Sequence, residues 1–489
     1  MSNKMSWLDN IIGFISPYQG IKRAAFKQEL DYIKKHGYDA GGFDRLNKQW
    51  HPLIESAEMT DRTDRDIVRA RARDIERNSD MGNAVIKAFT RNIIGSGYTL
   101  QAKTDSEELN TKIETLWNEW IKAKNCDVTG TQSFSQILRM AVKRKKVDGG
   151  IIFKKCYTNQ GIVPFQLQAL EVDELSISWS NPKDKNHKVA GGIEYNSYNR
   201  PVGYWIAQYS IDGLEVATPK YYQAKDIIYI YTKSRPSQVR EISDLTPTLT
   251  RIRDTNEFIT AVSVKERIAA CLAVFIKKAL PVSTGLGRQI VNNARSEVTY
   301  EGKSLVPGMI KEMNAGDEIQ VVDPKSSGDD ASTFLKLQQR LIASGQGLSY
   351  ESTTRDMSET NYSSARQSAI EDELTYAEDI ELFQEFMSEV YEEFLKSAVL
   401  SGMITIPDFF DKKTEYSKHM WIAGQKRWID PVKEANANRI ALENGMKTFQ
   451  QIAAENGKDW KEQIDDMAAA KEYAEKAGVN IVGGGINAG

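Results

Sequence analysis

Ser363 and Ser364 stand in the stretch TRDMSETNYSSARQSAIEDE, residues 354–373, where a polar segment meets the start of a long helical pattern. Two hydroxyls at such a junction could act as nucleophiles or as helix caps. A nucleophile needs a base beside it; no histidine lies near residues 349–367, and the chain has no G-x-S-x-G elbow. Capping is the simpler chemistry. Ser364 with Gln367 three residues on reads as a capping box, which satisfies orphan amides at a helix start. Phosphate-loop chemistry fails on one position: Gly302-Lys303-Ser304 needs a glycine five residues before Gly302, where Glu297 would repel a phosphate. Gly345-Gln346-Gly347 is an isolated pair after a helical pattern, not a dinucleotide loop after a strand. Cys126, Cys156 and Cys271 are scattered, as are His36, His51, His187 and His419, with no C-x-x-C or H-x-x-x-H pair. No zinc site, disulfide framework or cofactor is therefore expected, and a reducing compartment is the plain reading.

These side chains need elements to carry them. A chain of 489 residues with 27% charged and 9% aromatic residues is an ordinary globular protein of about two to four domains. Its formal net charge of −3 argues against tight, sequence-wide gripping of nucleic acid, which rests on a basic excess. The N-terminal SWLDNIIGFISP is too short an apolar run for a signal or a span, and no other run suits a bilayer. Residues 1–60 read as an extended arm that crosses onto a neighbour. From Asp64 to about Asn92 the pattern is helical, broken near Asn78 to Gly82, with Ile67, Ile75, Val85, Ile86 and Phe89 as its apolar set. Arg69, Arg71, Arg73 and Arg77 on this helix form either a phosphate-binding face or a surface of solvated and ion-paired charge.

Strand-like runs follow to about residue 232, namely YTLQA, GIIFKKCY, VPFQLQALEV, VAGGIEYN, VGYWIAQYS and DIIYIYT. With no long helix between them, they predict a mostly antiparallel α+β region. Thr246 then Pro247 reads as a helix start, and residues 246–278 run without a further glycine or proline, roughly 45 Å of helix. A compact insert, 279–330, separates it from a second helix, 331–347, expected to return antiparallel. Residues 348–361 read as a loop, and a helix of roughly 55 Å runs from Ala365 to about Ser401. Its surface is acidic, with Glu371, Asp372, Glu373, Glu378, Asp379, Glu381, Glu385 and others. Gly402 closes it, and the tail from Asp430 is helical before a glycine-rich end.

Several segments in fixed order carry a family resemblance: KQWHP, RARARDIERNSDMGNAVIKAFTRNIIGSGYTLQA, GIEYNSYNRPVGYWI, KSRPSQVREISDLTPTL, LSYESTTRDMSETNYSSAR and DPVKEANANRIALENG. Together they resemble the lambda-type family of tailed-phage portal proteins over nearly the whole chain. Two positions depart from that pattern. The family usually has glycine after the arginine of RPSQVR, where this chain has Glu241, and commonly a histidine in the preceding strand, where it has Tyr229.

The resemblance implies a portal-type α+β fold assembled as a homo-oligomeric ring of about twelve copies, with no enzymatic activity. The ring would lie at one capsid vertex of the virion, after assembly in the host cytoplasm. Residues 61–245 would be the wing, 246–278 and 331–347 the stem helices, 279–330 the clip, 348–361 a tunnel loop, 362–430 the long wing helix with its following segment, and 431–489 the crown and flexible tail. Double-stranded DNA would pass the loop, where Arg355, Asp356, Glu359 and Asn361 are the candidates. Arg355 would either touch phosphates or pair with Asp356 or Glu359. The terminase large subunit, then head-tail connector proteins, would dock on the clip near Arg288, Lys303 and Lys311, and major capsid and scaffold proteins complete the expected partners. A metal-dependent DNA-processing hydrolase is the competing reading of the abundant carboxylates, although no spacing singles out a cluster.

Overall fold

The computed structural model describes residues 54–209, 215–270, 274–277, 310–313, 328–424 and 430–479, with isolated positions between 14 and 52. The chain divides into two units, Met1–Thr60 and Asp61–Gly489. Apart from the first turn of α1, the elements below belong to the second. Helix α1 (Ala57–Asn78) stops where Ser79 turns extended and caps α2 (Asp80–Ile94), its hydroxyl accepting from Gly82 N at 3.2 Å. Gly95 and Gly97, both at positive φ, turn the chain into β1 (Tyr98–Ala102). Helix α3 (Glu107–Trp120) and helix α4 (Phe134–Asp148) follow, each opened by a serine, Ser106 and Ser133. Gly149 ends α4 at φ 90°, and a Cβ there would come within 2.4 Å of the Ile242 carbonyl, so only glycine fits this turn.

Most of the strands form small antiparallel sheets. β2 (Gly150–Cys156) lies between β3 (Gln166–Leu170) and a later strand, β8 (Ile227–Tyr231). A second sheet runs in order through β4 (Lys188–Ala190), β5 (Ile193–Tyr195), β6 (Pro201–Tyr209) and β7 (Glu215–Gln223). The run VAGGIEYN is thus two strands, not one, because Gly191 and Gly192 take positive φ and turn it back on itself. β7 escaped the sequence reading. It contains Pro219, a residue tolerated on an edge strand where no ladder bond is lost, and β7 is that edge.

Helix α5 (Leu249–Ala270) departs from expectation at both ends. Thr246 and Pro247 lie in a preceding turn, where the Thr246 hydroxyl donates to Ser243 O at 2.5 Å, and the amide of Leu249, the first helical residue, reaches Leu245 O at 3.1 Å. The helix does not continue to 278, because β9 (Val274–Lys277) is extended and pairs in parallel with β10 (Ile310–Met313). Val, Phe and Ile in succession favour a pleated strand once a partner is available. Helix α6 (Gly328–Gly345) runs back along α5: Arg251 meets Gln338 at 2.9 Å and Phe258 packs on Phe334 with ring centroids 4.8 Å apart. As one number rises the other falls, so the two are antiparallel.

A short helix, α7 (Tyr350–Thr354), precedes the 39-residue α8 (Tyr362–Leu400), about 58 Å long at the usual rise. Its C-terminal half buries Phe383, Phe386, Val390, Phe394 and Leu395 at helical spacing. They meet a cluster in which Trp120 stacks on Phe165 at 5.5 Å and donates from Nε1 to its carbonyl at 2.8 Å. Trp117 packs edge-on against Phe394 and Phe153 stacks on Phe386. Each such ring contributes on the order of 2 kcal/mol. β11 (His419–Ala423) returns to pair antiparallel with β1, so one two-stranded ladder joins segments more than three hundred residues apart. The tail is helical as expected, in α9 (Pro431–Glu443), α10 (Phe449–Glu455) and α11 (Trp460–Lys476), capped by Asp430, Thr448 and Asp459. A smaller core of Ile152, Leu175, Ile193 and Ile206 seals the three-stranded and four-stranded sheets together.

Candidate functional site

The segment between α6 and α8 is not a bare loop. Ser349 caps the single turn α7, and both its amide and its hydroxyl bond the Asp372 carboxylate on α8, at 2.6 and 2.7 Å. Thr375 donates to Gly347 O at 2.6 Å, and Ser352 shares a hydrogen bond with the Tyr376 hydroxyl at 3.0 Å. Three residues of one face of α8 therefore hold the root of the loop. Asp372 and Asp379 were expected on the acidic surface of this helix. Both are buried, because each has a partner that repays its desolvation.

Past α7 the chain turns at Arg355, which takes a left-handed φ of 61° at the helix end. Arg355 pairs with neither Asp356 nor Glu359; its side chain is exposed and makes no ion pair among the described residues. Asp356 instead accepts from Ser358 N at 3.0 Å and from the Tyr350 hydroxyl at 3.2 Å, and the Ser358 bonds hold its carboxyl below the usual range. Glu359 reaches back to α6, to Lys336 at 2.7 Å and Arg340 at 3.1 Å, and Lys336 lowers its pKa in the same way. Loop residues 355–361 are thus tied to one helix at the root and to another near the tip.

Asn361, not Ser364, caps α8. Its side chain accepts from Ser364 N at 2.9 Å, while its own amide donates to the Ser364 hydroxyl at 3.0 Å. Ser364 fills the third position of the box, and the Gln367 amide turns to Glu371 at 2.9 Å. The helix begins a turn earlier than expected because Tyr362 has a partner, the Lys433 ammonium over its ring at 4.5 Å, and Arg366 faces Glu434 at 3.9 Å. Arg288 and Lys303 lie outside the described residues; Lys311 falls on β10, opposite Phe275 in the register.

The α1 arginines divide. Arg69 and Arg73 turn inward, Arg69 to Glu241 at 2.8 Å and Asp173 at 3.1 Å, Arg73 to Asp148 at 2.7 Å and Asp173 at 2.6 Å. They form no phosphate face, because these carboxylates already consume their donors. Glu241 is fully buried and also binds Arg240 in a two-bond clasp of 2.9 and 3.0 Å. The Tyr229 hydroxyl donates to the same carboxylate, and burial followed by Glu241 pushes the phenol well above its ordinary value. Tyr229 and Glu241, the two positions where the sequence reading expected other residues, therefore touch each other. Elsewhere, Lys145 and Lys146 at the end of α4 share Asp379 and Asp244 at 2.6 to 3.0 Å, and Lys146 lies 3.8 Å over the Phe89 ring.

Arg77 and Arg71 remain exposed. Arg77 joins Lys87, Arg91 and Arg355 around a cavity of about 590 Å³ that also presents Asn78 and Asn83. Sequence reasoning missed this set; its one signal was the i, i+4 spacing of Lys87 and Arg91 on α2. Among the described residues no group of histidine, cysteine, aspartate and glutamate is placed to hold a metal ion, and no helix is long and apolar enough to cross a membrane.

The chain is 24% identical to the probable portal protein of Halomonas phage phiHAP-1, covering 85% of this chain and 82% of that protein. It is 21% identical to the portal protein of Escherichia phage N15, covering 92% of each, and 20% identical to portal protein B of Escherichia phage lambda, covering 88% of each. Among solved structures, the neck of a native gene transfer agent particle, computed with C12 symmetry, aligns with TM-score 0.39 at 12% identity, over 72% of this chain and 92% of that one. The model of the phage portal protein lambda family matches residues 43–379, more than two thirds of the sequence, and the chain belongs to that family.

Proposed function

We propose that this portal protein acts as a ring of about twelve copies at one capsid vertex, with duplex DNA passing along its axis during packaging and ejection. The observation that carries this reading is the α5–α6 pair. Most of α5 is exposed, and on α6 Phe334, Leu337 and Leu341, at i, i+3 and i+7, are 41, 51 and 42% exposed. An apolar stripe of this kind on a helical hairpin requires cover, and copies of the same hairpin around an axis supply it.

Residues 355–361 then face the channel, with α8 as the strut that sets their position through Asp372 and Thr375. Channel DNA must slide, and tight phosphate binding would brake it. A subunit with net charge −3 suits that demand, and Arg355 is the residue assigned to transient phosphate contact. The chain has no phosphate loop of its own, so a terminase motor docks on the clip, with Arg288, Lys303 and Lys311 as candidate contacts. Head-tail connector proteins later take the same end, and capsid and scaffold proteins surround the wing.

Electron-microscopy class averages of the purified full chain test the proposal. Closed rings with an axial hole wide enough to pass a duplex are expected. Single copies alone at high concentration, or α5 and α6 turned away from any central hole, would overturn it.

A further inference from the structure

Four cations share one concave surface without a single carboxylate partner. Arg77, Lys87, Arg91 and Arg355 are all exposed and make no ion pair among the described residues, and only Asp80 brings a negative charge to the cavity they line. A second cavity of about 230 Å³ adjoins it, sharing Asp80, Ala84 and Thr353, and its walls include the apolar Met81, Val85 and Ile342. One continuous surface is thus cationic at one end and apolar at the other.

The matching pattern stands on α8. At 100° per residue, Ile370, Leu374, Glu378, Glu381 and Glu385 fall within about 80° of one another and cover about 22 Å of one helix face. Ile370 and Leu374 are 44 and 65% exposed, and the three glutamates are exposed and make no ion pair among the described residues. The glutamates do line a cavity with Lys145, Lys146 and Lys233, but Lys145 and Lys146 are held by Asp244 and Asp379, and Lys233 bridges to none of them. This row is apolar at one end and anionic at the other.

The two surfaces look in different directions. Ala84, Lys87 and Arg91 lie within about 60° of each other on α2, whereas Phe89, which lines the glutamate cavity, is turned about 140° to 160° from them. Within one chain the cations cannot meet the glutamates. A head-to-tail contact, which joins two different surfaces and closes when the rotation closes, brings them together.

We infer that the cationic cavity on α2 receives the α8 row of the next copy in the ring, glutamates against Lys87, Arg91 and Arg77, and Ile370 and Leu374 in the adjoining apolar slot. The occupant is a second copy of this chain rather than duplex DNA, because only the former supplies the apolar end, and because a cradle of four cations would hold a duplex that has to move. The inference rests on the ring reading above.

The test uses the full chain in two forms, Lys87→Glu with Arg91→Glu, and Glu378→Lys with Glu381→Lys, leaving Arg355 unchanged. Sedimentation velocity reads the ring fraction of each variant alone and of an equimolar mixture. Each alone is expected to lose at least about tenfold of its rings to like-charge contact. The mixture, in which every interface can again pair opposite charges in an even-numbered ring, is expected to regain the wild-type fraction. Variants that assemble alone as wild type does would overturn the inference, and so would loss of duplex affinity in rings that form normally. A mixture that fails to recover would also overturn it. A wild-type chain that forms no ring at all is a separate result, and it would fall on the ring reading itself.

Discussion

The charged cluster around Glu241 and the loop side of α2 use the same kinds of residue to opposite ends. Arg69 and Arg240 are buried with Glu241 and Asp148, Arg73 and Asp173 are half-buried beside them, and every guanidinium there has two or more oxygens in reach. Arg77, one turn beyond Arg73 on the same helix, is exposed with Lys87, Arg91 and Arg355 and pairs with nothing among the described residues. The first arrangement is closed. Its charges offset one another's desolvation and leave no donor for a ligand. The second is open, and its charges remain available to another molecule. The difference teaches that an arginine-rich helix carries no single function; burial on each face decides whether its charge is spent inside the fold or offered outside.

Removing the centre of the closed region should have the largest effect. Glu241→Ala leaves Arg69 and Arg240 buried without their shared carboxylate, and is expected to cost about 3–5 kcal/mol in chemical denaturation. Glu241→Gly should cost as much, because Arg69, Arg240 and Tyr229 are arranged around the carboxylate. A loss under about 1 kcal/mol would break the distinction between closed and open charge.

Asp379 sharpens the comparison by pH. Burial raises its pKa, but Lys146 and Lys145 outweigh burial and hold it below the ordinary aspartate value. A depressed folded pKa means that its contribution is complete above the unfolded value, about 4, and is lost as pH falls through the folded value. Asp379→Asn should therefore destabilise the protein at neutral pH and flatten the acid limb of a stability profile measured by denaturant midpoint. An acid limb as steep as that of wild type would contradict the assignment.

The smallest effect is expected at the loop. Glu359→Gln breaks exposed contacts to Lys336 and Arg340, and solvent-screened pairs of this kind contribute little. The global unfolding midpoint should not move measurably, while amide exchange of residues 355–361 should quicken. Unchanged exchange would mean that Asp372 and Thr375 alone position the loop.

Much of the scaffold was legible in the sequence. The break between α1 and α2, the glycine turn into β2, the antiparallel return of α6, the length of α8 and the three tail helices all rest on local signals such as caps, positive-φ glycines and periodicity. Motif order also pointed to the family. Where local signals competed, the reading slipped. Ser364 and Asn361 are both good caps, and Tyr362 meeting Lys433 decided between them. Pro219 argued against a strand that an edge position allows.

Other features have no local signal at all. Ile67 was expected inward and is 51% exposed, while Arg65 and Arg69 are buried, because Glu241 arrives from more than a hundred and seventy residues away. The pairing of β1 with β11, the burial of Asp372 and Asp379, and the contact between Tyr229 and Glu241 likewise depend on which distant partner arrives. By itself the sequence determined the family, the helices and strands that hydrophobic period and capping residues specify, and the near-neutral charge of the chain. Only the tertiary structure decided which charged groups are enclosed and which are left open, because the cost of burying a charge is set by partners that no nearby residue announces.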